Sequence, residues 1–446
     1  MKRRGSIARN SAFNLVGYIV PMAVGLLTVP IITRELGPAR FGLLSLALAI
    51  LEYSNLFDLG LGAATTRQVS ASLATKDSNV SDVIGSSIAS QVMLGLVGSI
   101  VLVLISPLLV HRVFVIPPDL EREALSVFRV LAMMIPPTVV LVSLRGILEA
   151  AQRFDLSNGI RIPSSVATFL IPAVGAARGF SLPTIVLMLL LTRIMICVVM
   201  GIAVSQAVPG LKWRLKMDWV TMRPLFVFGG WMSISNSVSP MLIYLDRFML
   251  GGLIGVSAVG YYTAPFDGVM RLLIIPASLM GAVYPSISAL AATGNHEAIH
   301  RVYAEALRKT IVLLVLPVLA LAIFGPWLLR LWLGEAFATQ GATAIRILAF
   351  GVFLNAAAHV PSGFITALGR PDIKAKLHLG ELVFHVPLAY FLITHFGLAG
   401  AALAWTTRVG IDAGLLFIAS KRVLRDFKPS EAIPVEVVRA LDPEPC

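Results

Sequence analysis

The chain has 446 residues, 57% hydrophobic and 13% charged, with a mean hydropathy of +0.85. A soluble chain carries about 25% charged residues, so this one has too few polar groups to cover a water-facing globule, and length says nothing about domain count. The formal net charge of +12 lies in short clusters between apolar runs, which points to membrane orientation rather than to nucleic acid, and the 2 cysteines, Cys197 and Cys446, make no disulfide or metal framework.

Met1 to Arg9 resembles the basic start of a signal peptide, but the following apolar run is roughly 20 residues long and lacks a small-residue cleavage site, so it reads as a retained helix. A spanning helix needs about 20 mostly apolar residues. Residues 13–33, 41–62, 84–109, 125–149, 157–178, 182–205, 224–246, 254–280, 307–331, 342–368, 376–396 and 398–420 qualify. The first two are joined by Arg34-Glu35-Leu36-Gly37-Pro38-Ala39-Arg40, a short charged turn broken by Gly-Pro. Pro163, Pro172, Pro265 and Pro276 interrupt the fifth and eighth spans and require neighbouring helices or water to satisfy the freed carbonyls.

These spans predict an all-α polytopic membrane protein of about 12 helices. Its parts are a cytoplasmic N-terminus (1–12), an N-terminal six-helix lobe (13–205), a cytoplasmic connection (206–223), a C-terminal six-helix lobe (224–420) and a cytoplasmic tail (421–446), Pro- and Glu-rich after Lys428. With the N-terminus inside, inner connections hold 24 lysines and arginines and outer ones 9, so both termini are expected in the cytoplasm. No connection is long enough for a folded domain, and the chain has no Gly-Lys dipeptide and hence no P-loop lysine motif. A shift of 218 residues lays Phe41-Gly42 on Val259-Gly260 and Ser70-Ala71-Ser72-Leu73 on Ser288-Ala289-Leu290-Ala291. That suggests two parallel six-helix repeats with a cleft between them.

His296-Glu297-Ala298-Ile299-His300 matches the zinc-protease pattern H-E-x-x-H. Ile299, Val302, Tyr303 and Ala306 share a helical stripe, however, and Glu297/Arg301 and Glu305/Lys309 are pairs one turn apart opposite it. The segment reads as an amphipathic surface helix, and neither a metal site nor an enzyme is expected. Charges inside the spans are costly and usually paired or functional. Asp267/Arg271, Arg408/Asp412 and Glu381/His385 lie four apart and could neutralise one another, whereas Arg193, Glu52 and Asp58 have no opposite charge one turn away on their own helix. His359 reads as a hydrogen-bonded core residue. The glycines and prolines of the spans, such as Gly60, Gly62, Pro136-Pro137 and Pro276, mark tight packing and kinks.

Several stretches together carry a family likeness. They are Asn14, Pro21 and Pro30; Arg34-Glu35-Leu36-Gly37-Pro38 followed by Phe41-Gly42; Asp58-Leu59-Gly60-Leu61-Gly62; Asp246-Arg247; Ala258-Val259-Gly260-Tyr261-Tyr262; and Tyr284-Pro285-Ser286-Ile287-Ser288. Over roughly residues 8–420 the chain resembles the polysaccharide-biosynthesis flippases (Wzx-type) of the multidrug/oligosaccharidyl-lipid/polysaccharide (MOP) exporter superfamily. The resemblance implies two six-helix halves around a central cleft in a bacterial inner membrane, outward movement of undecaprenyl-diphosphate-linked oligosaccharides, and a cationic lumen. Arg271, Arg193 and Arg408 are then the candidates to meet substrate, and Asp58, Glu52, Asp267, Glu381 and Asp412 the candidates for ion coupling or gating. Expected partners are the lipid-linked glycan, the bilayer, and a polysaccharide polymerase with its assembly proteins. No cofactor is expected beyond coupling to an H+ or Na+ gradient. Two other readings stand beside this one: a cation-coupled multidrug exporter of the same superfamily, and an intramembrane zinc protease built on His296 to His300.

Overall fold

The computed structural model describes residues 2–75, 80–208, 210–213 and 241–426, with side chains from Ile19 onward save those of 55, 285, 292 and 426. Among these residues every regular element is helical. The helices are α1 (Lys2–Tyr53), α2 (Leu61–Thr75), α3 (Val80–Leu108), α4 (Glu121–Ala150), α5 (Phe154–Ala177), α6 (Leu182–Ala207), α7 (241–253), α8 (Val256–Met270), α9 (Ile274–Ala292), α10 (His296–Leu333), α11 (Glu335–Ala367) and α12 (Pro371–Asp426). Contacts group them into two compact units, residues 1–260 and 261–446.

Nine helical stretches among the described residues are long and apolar enough to cross a membrane. The two longest contain a non-helical residue. The stretch Ile19–Asp58 has 40 residues and Pro371–Arg425 has 55, or about 60 and 80 Å at 1.5 Å per residue, against a hydrocarbon core of about 30 Å. Each bends at a glycine: Gly37 (φ 72, ψ 170) in α1 and Gly397 (φ 59, ψ −130) in α12. Positive φ is strained for a residue with a Cβ, so glycine is what the chain needs there. The two limbs of each then match the expected spans on either side of 34–40 and of 397, giving eleven crossings. The twelfth expected span, 224–246, and the connection 206–223 fall mostly outside the described residues, as does the tail beyond 426. The end of that span continues as α7.

Two expected helices are split. The span predicted over 41–62 stops at Tyr53, passes through a 3-10 turn (Ser54–Asp58) and a left-handed Leu59 (φ 47), and resumes as α2. The span predicted over 254–280 breaks at a 3-10 turn, Arg271–Leu273, between α8 and α9. Pro276 has no N–H to offer the carbonyl of Leu272 four residues earlier, so an α-helical turn cannot close there.

The surface is what a bilayer requires. Leu316 and Val383 are each 76% exposed, which water would penalise and lipid does not. Hydrocarbon is as apolar as leucine, so helices in it pack through close approach and buried polar bonds rather than by the hydrophobic effect. In the first unit, Val69, Ile84, Leu144, Ile147 and Val204 join α2, α3, α4 and α6. In the second, Ile287, Ile299, Phe364 and Leu424 join α9, α10, α11 and α12. One carboxylate ties three helix starts in the first unit: Glu123 accepts from Arg40 Nε at 2.9 Å and from the Leu182 amide at 3.1 Å. The Tyr53 hydroxyl donates to the Met241 carbonyl at 2.9 Å, fixing the end of α1 to α7.

Candidate functional site

The break after Tyr53 positions Asp58. Its carboxylate is buried and accepts from the Gly62 amide at 3.0 and 3.3 Å and from Gln91 Nε2 at 2.7 Å. Asp58 therefore satisfies the first amides of α2, as an N-cap side chain does, and fastens that helix to α3. The hydroxyls of Thr65, Ser87 and Ser143 continue the polar contact into α4. Gln91 carries no signal in the sequence, because a single amide in an apolar run has no spacing partner.

Glu52 and Arg193 are brought together. Neither has an opposite charge one turn away on its own helix; the fold supplies each to the other, from α1 and α6, so that their charges attract across the two helices. Glu52 is exposed and Arg193 half-buried. Arg193 lines an open pocket with Ser164 and Thr168 of α5 and Thr192 of α6, floored by Leu48, Leu51 and Met134. Thr168 and Thr192 donate to the carbonyls of Ser164 and Met188 at 3.1 and 2.8 Å, which leaves lone pairs on both hydroxyl oxygens. A guanidinium among hydroxyls suits an oxyanion carrying polar groups. The hydroxyl residues lie outside the charged set that the sequence singled out.

In the second unit Asp267 closes α8, and Arg271 opens the 3-10 turn; both are half-buried. Phe266 stacks on Tyr262 and meets Trp405 edge-on, with ring centroids 5.3 Å apart, so this helix is seated on the second limb of α12.

Across α12, charges on its two limbs meet. Arg408 Nη1 lies 3.1 Å from Glu381 Oε2, with side chains only 9% and 3% exposed. The bend at Gly397 lays the two limbs of α12 side by side, so residues roughly equidistant from it meet, whatever their own-helix spacing. Glu381 also comes within hydrogen-bond reach of the Asp412 carboxyl, and donor atoms of His378, Glu381 and Asp412 all lie within 4.8 Å of one another. His378 stands three residues before Glu381, which puts both on one helix face. His359, on α11, bonds through Nδ1 to the Asn355 carbonyl at 2.9 Å, as a core residue would.

His296, Glu297 and His300 are exposed at the start of α10. Asn295 caps that start by accepting from the Ala298 amide at 3.0 Å, Glu297 pairs with Arg301 at 3.2 Å, and Ile299 and Ala306 are buried beneath. This is the amphipathic helix that the stripe of apolar residues predicts, and the Tyr303 hydroxyl pins it to Ser420 at 3.1 Å.

Comparison with known proteins agrees with this architecture. A family model described as polysaccharide biosynthesis protein matches residues 7–291, and one described as MatE matches residues 232–391. The chain is 30% identical over 417 residues to a Shigella flexneri protein named "Putative O-antigen transporter", covering 92% of this chain and 97% of that one. It is 21% identical to the Haloferax volcanii "Probable low-salt glycan biosynthesis flippase Agl15", over 92% of this chain and 82% of that one. Among solved structures it is similar to an inward-facing multidrug resistance MATE family transporter of the MOP superfamily, with a TM-score of 0.79 at 16% identity over 93% and 98% of the two chains. That likeness shows the fold.

Proposed function

Because the chain belongs to the polysaccharide biosynthesis family of the MOP exporter superfamily, we propose that it is a flippase carrying lipid-linked glycan repeat units outward across a bacterial inner membrane. The observation that carries this reading is the near full-length similarity to the Shigella flexneri protein, 30% over 92% of this chain. The pocket around Arg193 supports it chemically. A diphosphate linker brings phosphoryl oxygens that replace Glu52 as the partner of Arg193, and Ser164, Thr168 and Thr192 offer hydrogen bonds to the adjoining sugar. Arg271, at the break between α8 and α9 in the second unit, is a separate candidate cation for substrate. A planar guanidinium holds such an anion through charge-assisted hydrogen bonds. The chain works without nucleotide hydrolysis, by alternating exposure of the cleft to the two membrane faces and coupled to an H+ or Na+ gradient, and its termini lie in the cytoplasm.

Deleting the gene tests this. The expected result is loss of a surface glycan with its lipid-linked repeat unit retained on the cytoplasmic face, restored by the intact gene. Normal glycan with altered drug tolerance would instead favour a multidrug exporter, the reading that the MatE match over 232–391 supports. Reporter fusions after Arg425 and within 111–122 should report opposite sides of the membrane; the same side for both would overturn the orientation.

A further inference from the structure

The geometry points to a binding site for one divalent transition-metal ion, of the zinc class, formed by His378, Glu381 and Asp412 between the two limbs of α12. It stands apart from the H-E-x-x-H segment and does not rest on the transport reading. The carboxyl groups of Glu381 and Asp412 lie within hydrogen-bond reach of each other. Both residues are buried, at 4% and 8% exposure, and neither Glu381 Oε1 nor Asp412 Oδ1 has a hydrogen-bond donor. Two facing carboxylates in a poorly screened interior repel unless a cation sits between them. Arg408 does not fill that role, for its guanidinium engages the other oxygen, Oε2, at 3.1 Å. It compensates one charge and orients Glu381, as second-sphere partners of metal ligands do.

The imidazole distinguishes an ion from a proton. A proton shared by two carboxyls needs no third donor, yet a His378 nitrogen lies within 4.8 Å of both carboxyl groups. One imidazole and two carboxylates form a donor set for zinc and its neighbours, whereas sodium, magnesium and calcium favour oxygen alone. The two carboxylates bring two negative charges to the ion, one of them already set against Arg408. Lys374, one turn before His378, and Arg408 are the cations whose charges act on the imidazole, and His359 is occupied with its backbone bond. His378 is half-buried, which gives an ion a way in. Ligands at about 2.0–2.2 Å from the ion draw the donors closer together, and the bend at Gly397 lets the limbs follow. Once bound, the ion fixes the angle between them.

The full-length protein, purified in detergent and stripped with chelator, would be titrated with Co2+ and followed by its visible absorption, then with Zn2+ by calorimetry. One ion per chain is expected, with His378→Ala, Glu381→Gln and Asp412→Asn each weakening it by about tenfold or more. His378→Ala removes a half-buried group and is the variant to rely on should the carboxyl variants fold poorly, as judged by thermal unfolding without metal. The double variant His296→Ala/His300→Ala should bind as the parent does. No stoichiometric ion, undiminished binding by His378→Ala, or loss of binding by the double variant each overturns the site. An infrared carbonyl band of a protonated carboxylic acid that disappears in Asp412→Asn and ignores Co2+ would assign the pair to a shared proton instead.

Discussion

Gly42 and Gly260 meet with no room for a side chain on either. A Cβ on Gly42 would strike the Val256 carbonyl and the Gly260 amide, and a Cβ on Gly260 would strike the Pro38 carbonyl. The shift of 218 residues that aligns the halves of the sequence pairs Gly42 with Gly260 and Pro38 with Val256, so the two contacts are one contact seen twice. Reciprocal contact between equivalent residues is what a local two-fold relation produces, and it falls on residues that the 218-residue shift aligns. Backbone meets backbone, so neither side can yield by a rotamer change.

From this it follows that Gly42→Ala and Gly260→Ala each lower stability by about 1–3 kcal/mol, the range for overpacking a tight contact, and by similar amounts. Thermal unfolding in detergent reads both. If one substitution is tolerated freely while the other is not, the contact is not shared as described.

For Asp58, three hydrogen bonds to Gly62 and Gln91 imply a structural role. Asp58→Ala abandons a buried amide and a buried carboxamide, costing about 1–3 kcal/mol. Asp58→Asn keeps one accepting oxygen and should lose less, with export retained. An Asn variant that folds at parent stability and exports nothing would return Asp58 to the set of coupling residues.

The Arg408–Glu381 pair makes a different forecast. Removing one member of a buried pair strands the other, at about 3–5 kcal/mol, while replacing both by apolar groups of similar volume is often near neutral. Arg408→Met should therefore destabilise more than Arg408→Met with Glu381→Met, as measured by chemical or thermal unfolding without added metal. Additive losses would mean that the two charges do not depend on each other.

What could be read in advance, and what could not, follows from the range of the signal. Turn chemistry is local, so the Gly-Pro turn at 37–38 is legible in composition and the surface helix at 296–306 in its stripe, while at 397 the sequence shows only a boundary between two apolar spans. Breaks inside spans were harder: the prolines flanking Arg271 announced a weakness without saying where the helix would part. Partners across a bend were hardest. Spacing within one helix suggested Arg408 with Asp412, but which residues of two limbs meet depends on the turn between them. Glu381 and Asp412 stand 16 and 15 residues from Gly397, a symmetry that becomes informative only once the bend is known to be a hairpin. The same limit hid Arg193 from Glu52, which come from distant helices.

Arg193 is the residue on which the transport reading is most exposed to test. If its guanidinium meets a phosphoryl group, Arg193→Ala at normal expression should cut glycan export by about tenfold or more, since a charge-assisted hydrogen bond contributes about 1.5–3 kcal/mol and 1.4 kcal/mol is a factor of ten. Stability should change by less than about 1 kcal/mol, because its partner Glu52 is exposed and exposed ion pairs contribute little. Arg193→Lys should keep part of the export, having the charge without the planar fork. A purely structural pair predicts something else: exchanging the charges, Glu52→Arg with Arg193→Glu, would restore what Arg193→Ala loses. Under the substrate reading the exchange fails, because the cation then projects from α1 and no longer sits among Ser164, Thr168 and Thr192. Restored export in the exchanged protein, with unfolding unchanged, would remove Arg193 from the substrate path.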